Sequence, residues 1–177
     1  LKGIIFTEFI EMVESKFGLE VMDEVLNKSN LASGGVYTSI GTYDHAEMVE
    51  LVSHLSAITK IEVVQLLEVF GEYLFTIFVK SYPHFFEGIG DSFSFLEQIE
   101  AYIHPEVLKI YPEAELPHFN ISRQGNTLHM VYKSKRKMAP FAYGLIKGCL
   151  NHFNEPAQVD MKPLAEDGSI VEFTISK

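Results

Sequence analysis

The sequence contains no tryptophan, a single cysteine and a marked shortage of basic residues. The lone Cys149 cannot close an intramolecular disulfide, and a cysteine-rich zinc site is excluded. It sits at apolar spacing in the run Tyr143 to Leu150 and reads as a buried structural thiol. Fourteen Lys and Arg stand against 24 Asp and Glu, a formal net charge of −10. The one basic cluster, Lys133-Ser134-Lys135-Arg136-Lys137, is too short for the basic footprint that backbone-driven nucleic-acid binding needs. No apolar run reaches the roughly 18 residues of a membrane span, so no membrane insertion is expected. The apolar opening Leu1 to Phe6 is broken at Glu8 and Glu11 and lacks a signal-peptide core and cleavage site, which makes a cytoplasmic location the expectation. Also missing are a His-Glu-x-x-His helix, any histidine pair at four-residue spacing, a glycine-rich phosphate loop and a Gly-x-Ser-x-Gly elbow.

What remains is a chain of 177 residues, 47% hydrophobic, enough for one domain over 1–177 with a sizeable core. Fourteen Phe and eight Tyr suit either a broad apolar core or a pocket for a flat apolar ligand.

The apolar period is helical through the first two thirds. Ile5, Phe9, Val13 and Phe17 predict a helix over 4–17, ended by Gly18, with a second over 19–27. Residues 29–41 read as loop. Asp44 with Glu47, and Thr59 with Glu62, match the capping-box pattern for two further helices, the second running to about Lys80. Pro83 stops it, and Asp91 or Ser92 can cap a fifth. His104-Pro105-Glu106 reads as a fresh helix start, with Val107, Leu108 and Ile110 facing inward. After Pro117 the period changes to two. Strands are predicted over 119–123 and 127–133, then a helix over 140–153, then strands over 158–164 and 169–176. The predicted class is α+β: a helical part packed, through a shared core, with a four-stranded antiparallel sheet and one helix.

Two groups of residues can carry chemistry. His104 heads an apolar helix beside an aromatic segment, and one imidazole suffices to hold an iron porphyrin; a half-buried or capping histidine is the alternative. Tyr132, Ser134 and Arg136 alternate. In extended chain they present two hydroxyls and a guanidinium to one anionic group, unless the strand end is simply solvated.

At these residues the chain resembles the bacterial haem nitric-oxide/oxygen-binding domains, relatives of the haem domain of soluble guanylate cyclase. The likeness spans the Lys2-Gly3-Ile4-Ile5 opening, His104, the Tyr111-Pro112 to Pro117 segment and, most specifically, Tyr132-x-Ser134-x-Arg136. The resemblance implies one haem b between the helical part and the sheet, held without covalent attachment, since no Cys-x-x-Cys-His motif is present. It makes His104 the proximal iron ligand, with Tyr132, Ser134 and Arg136 on the propionates. Pro117 would press on the porphyrin, and Ile5, Phe9, Leu74, Phe78 and Leu145 would line the distal and upper pocket. Relatives that hold oxygen place a tyrosine at the position of Phe141, and polar or indole groups where Leu74 and Phe9 stand. An apolar pocket offers bound oxygen no donor, so nitric oxide and carbon monoxide are the expected ligands and stable oxygen binding is not. A stable oxygen complex would imply a donor elsewhere, Tyr143 or Tyr73.

The implied function is that of a nitric oxide sensor rather than an enzyme. Loosening of the bond to His104 would change the activity of a partner, a histidine kinase or a cyclic-di-GMP enzyme. The alternative is a gas-binding protein for storage, transport or detoxification, without a signalling partner. The cysteine-cluster zinc site of some relatives is not expected, because Cys149 stands alone.

Overall fold

The computed structural model describes residues 1–177. Seven α-helices and four strands follow in the order α1 Gly3–Phe17, α2 Leu19–Lys28, α3 His45–Thr59, α4 Val63–Ser81, α5 Ser92–Glu97, α6 His104–Ile110, β1 His118–Gln124, β2 Thr127–Lys133, α7 Ala139–His152, β3 Gln158–Pro163 and β4 Ile170–Ser176. This is the mixed α+β architecture that the change of period predicts. No helix is long and apolar enough to cross a membrane.

The start of α1 is locked under the loop that follows α2. Gly3 and Ile4 donate their N–H groups to Gly41 and Ser39 at 2.8 and 2.9 Å. A Cβ on Gly3 would lie 1.6 Å from the Thr38 carbonyl oxygen, so only glycine fits there. Tyr37, from the same loop, stacks on Phe6 with centroids 4.4 Å apart.

Both predicted capping boxes differ from what forms. Asp44 does cap α3, accepting from Ala46 N at 2.9 Å. Glu47 does not reach back. It is 8% exposed and accepts from the Ser33 and Tyr37 hydroxyls at 2.6 and 3.1 Å, tying the loop to α3. Thr59 ends α3 with its hydroxyl donating to Leu55 O, Lys60 turns into the left-handed region at φ 62°, and Glu62 precedes α4 without a capping bond. Tertiary acceptors and the reversal at Lys60 outcompeted the local pattern.

The sheet is antiparallel throughout, in the order β1-β2-β4-β3. On the central strands Leu128, Met130 and Tyr132, and opposite them Ile175, Phe173 and Val171, are buried on one face. Helix α7 belongs to the helical part as much as to the sheet. Gly71 of α4 and Gly144 of α7 meet backbone to backbone: a Cβ on Gly144 would fall 2.1 Å from Glu68 O, and one on Gly71 2.3 Å from Phe141 O.

The expected shared core is present, since Phe75, Phe93, Phe95 and Leu96 of the helical part are buried together with Met130 and Phe173 of the sheet, but it is not the whole of the interior. The buried apolar residues form two clusters. One gathers α1 to α4 around Phe6, Phe9, Leu51 and Phe70; the other joins α5, α7 and the sheet around Phe93, Met130 and Phe173. Leu145 packs against both. A cavity lies where the clusters would otherwise merge.

Candidate functional site

The cavity has a volume of about 230 Å³, and 26 of its 31 lining residues are hydrophobic. It is walled by the start of α1, by α4 and α7, by the 99–111 helical segment and by the first two strands. An apolar cavity of this breadth suits a flat apolar ligand, and the few polar groups on its wall determine what else that ligand carries.

His104 lines it. The expected fresh helix start there is replaced by continuous helix, because Ile99–Ile103 forms a wider π-helical turn that runs directly into α6. Ile103 N and His104 N donate to Gln98 O and Ile99 O, five residues back. The widened turn spares Pro105, which has no N–H to give and would crowd the carbonyl four residues before it. Helix α6 has no buried residue: of the three expected inward, Val107 and Ile110 line the cavity, Ile110 at its edge and 42% exposed, while Leu108 is off the wall and 40% exposed.

The His104 ring is 18% exposed, and its Nδ1 lies 3.2 Å from Glu100 Oε1. Burial holds its pKa below the ordinary histidine value, against an opposing pull from Glu100. The neutral imidazole is therefore favoured, the form a metal requires. Nδ1 is engaged, and Nε2 has no hydrogen-bond partner in the protein.

On the sheet side of the wall, the alternating face expected of Tyr132, Ser134 and Arg136 does not persist. Strand β2 stops at Lys133, and a turn follows in which Lys137 N donates to Ser134 O and Lys137 takes φ 56°. Tyr132 and Arg136 line the cavity; Ser134 does not. Its hydroxyl accepts from Arg136 N at 3.2 Å and shapes the turn. Tyr132 is 2% exposed, and its hydroxyl accepts from Met138 N at 2.9 Å, which leaves its proton to donate. The Arg136 side chain is 11% exposed, and its one ion-pair contact is Glu115 at 3.5 Å, a side chain 88% exposed. A guanidinium carries five N–H donors, so most of its capacity is unmet.

Pro117, Ile5, Leu74, Phe78, Phe141 and Leu145 all line the cavity. Phe9 does not. It is fully buried behind the wall, edge-on to Phe70 at 5.3 Å, and Phe70 in turn packs on Phe141 at 5.1 Å. Phe9 therefore supports Phe141 rather than facing a ligand. Neither Tyr73 nor Tyr143 is on the wall; Tyr82 and Tyr111 are, their hydroxyls paired with each other at 3.1 Å.

The sequence profile of the Haem-NO-binding family matches residues 2–161. The chain belongs to this family. The ferrous, unliganded H-NOX protein of K. algicida is 46% identical, with a TM-score of 0.95 over 100% of this chain and 96% of that one. The H-NOX of Shewanella woodyi, solved with IWP-051 in the Fe(II)CO state, is 39% identical over 100% of this chain and 94% of that one, with a TM-score of 0.84. That of S. oneidensis in the Fe(II)NO state is 28% identical over 99% and 98%, with a TM-score of 0.91.

H-NOX domains bind haem and act as gas sensors. The donor set here fits such a group. An apolar slot, one neutral imidazole with a free ring nitrogen and a largely buried, under-partnered guanidinium answer to a porphyrin, its iron and its carboxylates. The sequence reading missed Glu100. Its place four residues before His104 was a legible signal for a helical pair, hidden by the expectation that the helix began at His104.

Proposed function

We propose that the chain is a nitric oxide sensor that holds one haem b through His104. The observation that carries this reading is the mostly buried, cavity-lining His104 imidazole, whose Nδ1 lies 3.2 Å from Glu100 Oε1. Arg136 and Tyr132 would bind the propionates, with Ser134 holding the turn that presents Arg136 and able to donate its own proton. Pro117 would press on one face. Ile5, Leu74, Phe78, Phe141 and Leu145 would close the other, with Phe9 behind them. A haem held there would supply an iron able to bind nitric oxide or carbon monoxide.

Ile5, Leu74, Phe78, Phe141 and Leu145 carry no hydroxyl or charge on their side chains, so oxygen would gain no hydrogen bond from them, whereas nitric oxide needs none. Helix α6, none of whose residues is buried, would be free to shift if its hold on the cofactor through His104 were loosened. That two-state movement would be read by a partner, a histidine kinase or a cyclic-di-GMP enzyme.

The test is reconstitution. The purified chain takes up one haem with a Soret band, and His104→Gly holds it weakly until free imidazole is added. A chain that gives no Soret band, or a His104→Gly variant that keeps histidine-ligated iron without imidazole, refutes the reading.

A further inference from the structure

We infer that Glu100 is a positioning residue that fixes the tautomer and strength of the His104 ligand; the inference rests on His104 being that ligand. Three nitrogen atoms from two elements surround the Glu100 carboxylate. Oε1 lies 3.2 Å from His104 Nδ1 and accepts from the Phe119 backbone N–H at 2.9 Å. Oε2 lies 2.8 Å from His118 Nδ1. Phe119 and His118 open β1, so the acceptor is held from the sheet side while it grips the ring on the helix side.

A carboxylate offers only acceptors, so a neutral His104 must carry its proton on Nδ1 and leave the lone pair on Nε2. Without that partner the ring could adopt either tautomer and turn about its own bond. A negative acceptor on Nδ1–H also enriches the ring in electrons and makes Nε2 a stronger donor to a metal. The π-helical turn runs directly into α6 and keeps Glu100 and His104, four residues apart, on one face, so the pairing is built into the backbone. Because α6 buries none of its residues, this carboxylate is also a direct tie between the helix that carries the ligand and the sheet.

Two variants of the full-length haem-loaded protein test this: Glu100→Gln, which keeps an acceptor oxygen without the charge, and Glu100→Leu, which removes both. The first readout is the iron–histidine stretching band of the ferrous protein by resonance Raman. The second is the His104 Nδ1–H proton resonance of the diamagnetic carbon monoxide complex. Glu100→Leu is expected to lower the stretch, move the proton resonance upfield and speed haem loss by roughly 10- to 100-fold. Glu100→Gln is expected to lower the stretch by less.

A stretch and proton resonance unchanged in Glu100→Leu would overturn the proposal, even if haem were lost faster, because a merely structural tie leaves the bond itself unaltered. Should Glu100→Leu fail to fold, an unchanged stretch in Glu100→Gln overturns it equally. A wild-type stretch that survives His104→Gly would instead overturn the ligand assignment on which the inference stands.

Discussion

Removing the Arg136 guanidinium should loosen haem far more than removing the neighbouring Lys135 ammonium. Arg136 is 11% exposed and lines the cavity, whereas Lys135 is exposed and does not. Its present partner competes little: Glu115 lies 3.5 Å away and is 88% exposed, so that ion pair contributes close to nothing. A propionate reached by the same guanidinium inside the wall is a charge-assisted hydrogen bond, worth about 1.5–3 kcal/mol. At about 1.4 kcal/mol per factor of ten, Arg136→Met should lose haem roughly 10- to 150-fold faster than wild type. Lys135→Met should remain within about twofold, as a solvated charge does. The assay is transfer of haem to excess apomyoglobin, followed at the Soret band. Equal transfer rates for the two variants would refute the argument, because the contrast rests on burial and not on charge, which both variants lose alike.

In air, the reduced wild-type protein should show no lasting oxygen complex. Phe141→Tyr should slow oxygen loss by roughly tenfold, the worth of one buried hydrogen bond, and a stable wild-type oxygen spectrum would overturn the apolar-pocket argument. Gly144→Ala should destabilise the fold by about 1–3 kcal/mol, because the new Cβ would fall 2.1 Å from Glu68 O on a backbone that cannot yield. For a chain of this size that is a melting temperature lower by roughly 2–12 °C in calorimetry, and an unchanged melting point would show that α4 and α7 can separate at no cost.

The shift from helical to strand period at Pro117 was legible because burial of one face imposes a period of 3.6 on a helix and 2 on a strand, and both show in the order of residues. The β2 bounds and the Asp44 cap were readable for the same reason: they are set within a few residues. Glu47 illustrates the limit. Its sequence position matches a capping box, but Ser33 and Tyr37, distant in sequence, offered its carboxylate better partners.

At the site, residue types and spacing singled out His104 and the alternating Tyr132, Ser134 and Arg136 as groups able to carry chemistry, while the roles expected of them and the apolar lining came from the resemblance to the haem-binding domains. Which of those side chains face the cavity was decided only when the chain closed on itself. Ser134 left the alternating face when the turn after Lys133 formed, and Phe9 was displaced behind Phe70 by helix packing. Glu100 joined His104, His118 and the Phe119 N–H because the π-helical turn carried the helix back past Pro105 and the sheet brought β1 alongside. Local propensity acts over a few residues, and a cavity wall is assembled from segments tens of residues apart. The chemistry was therefore written in the sequence, while its convergence depended on the tertiary fold.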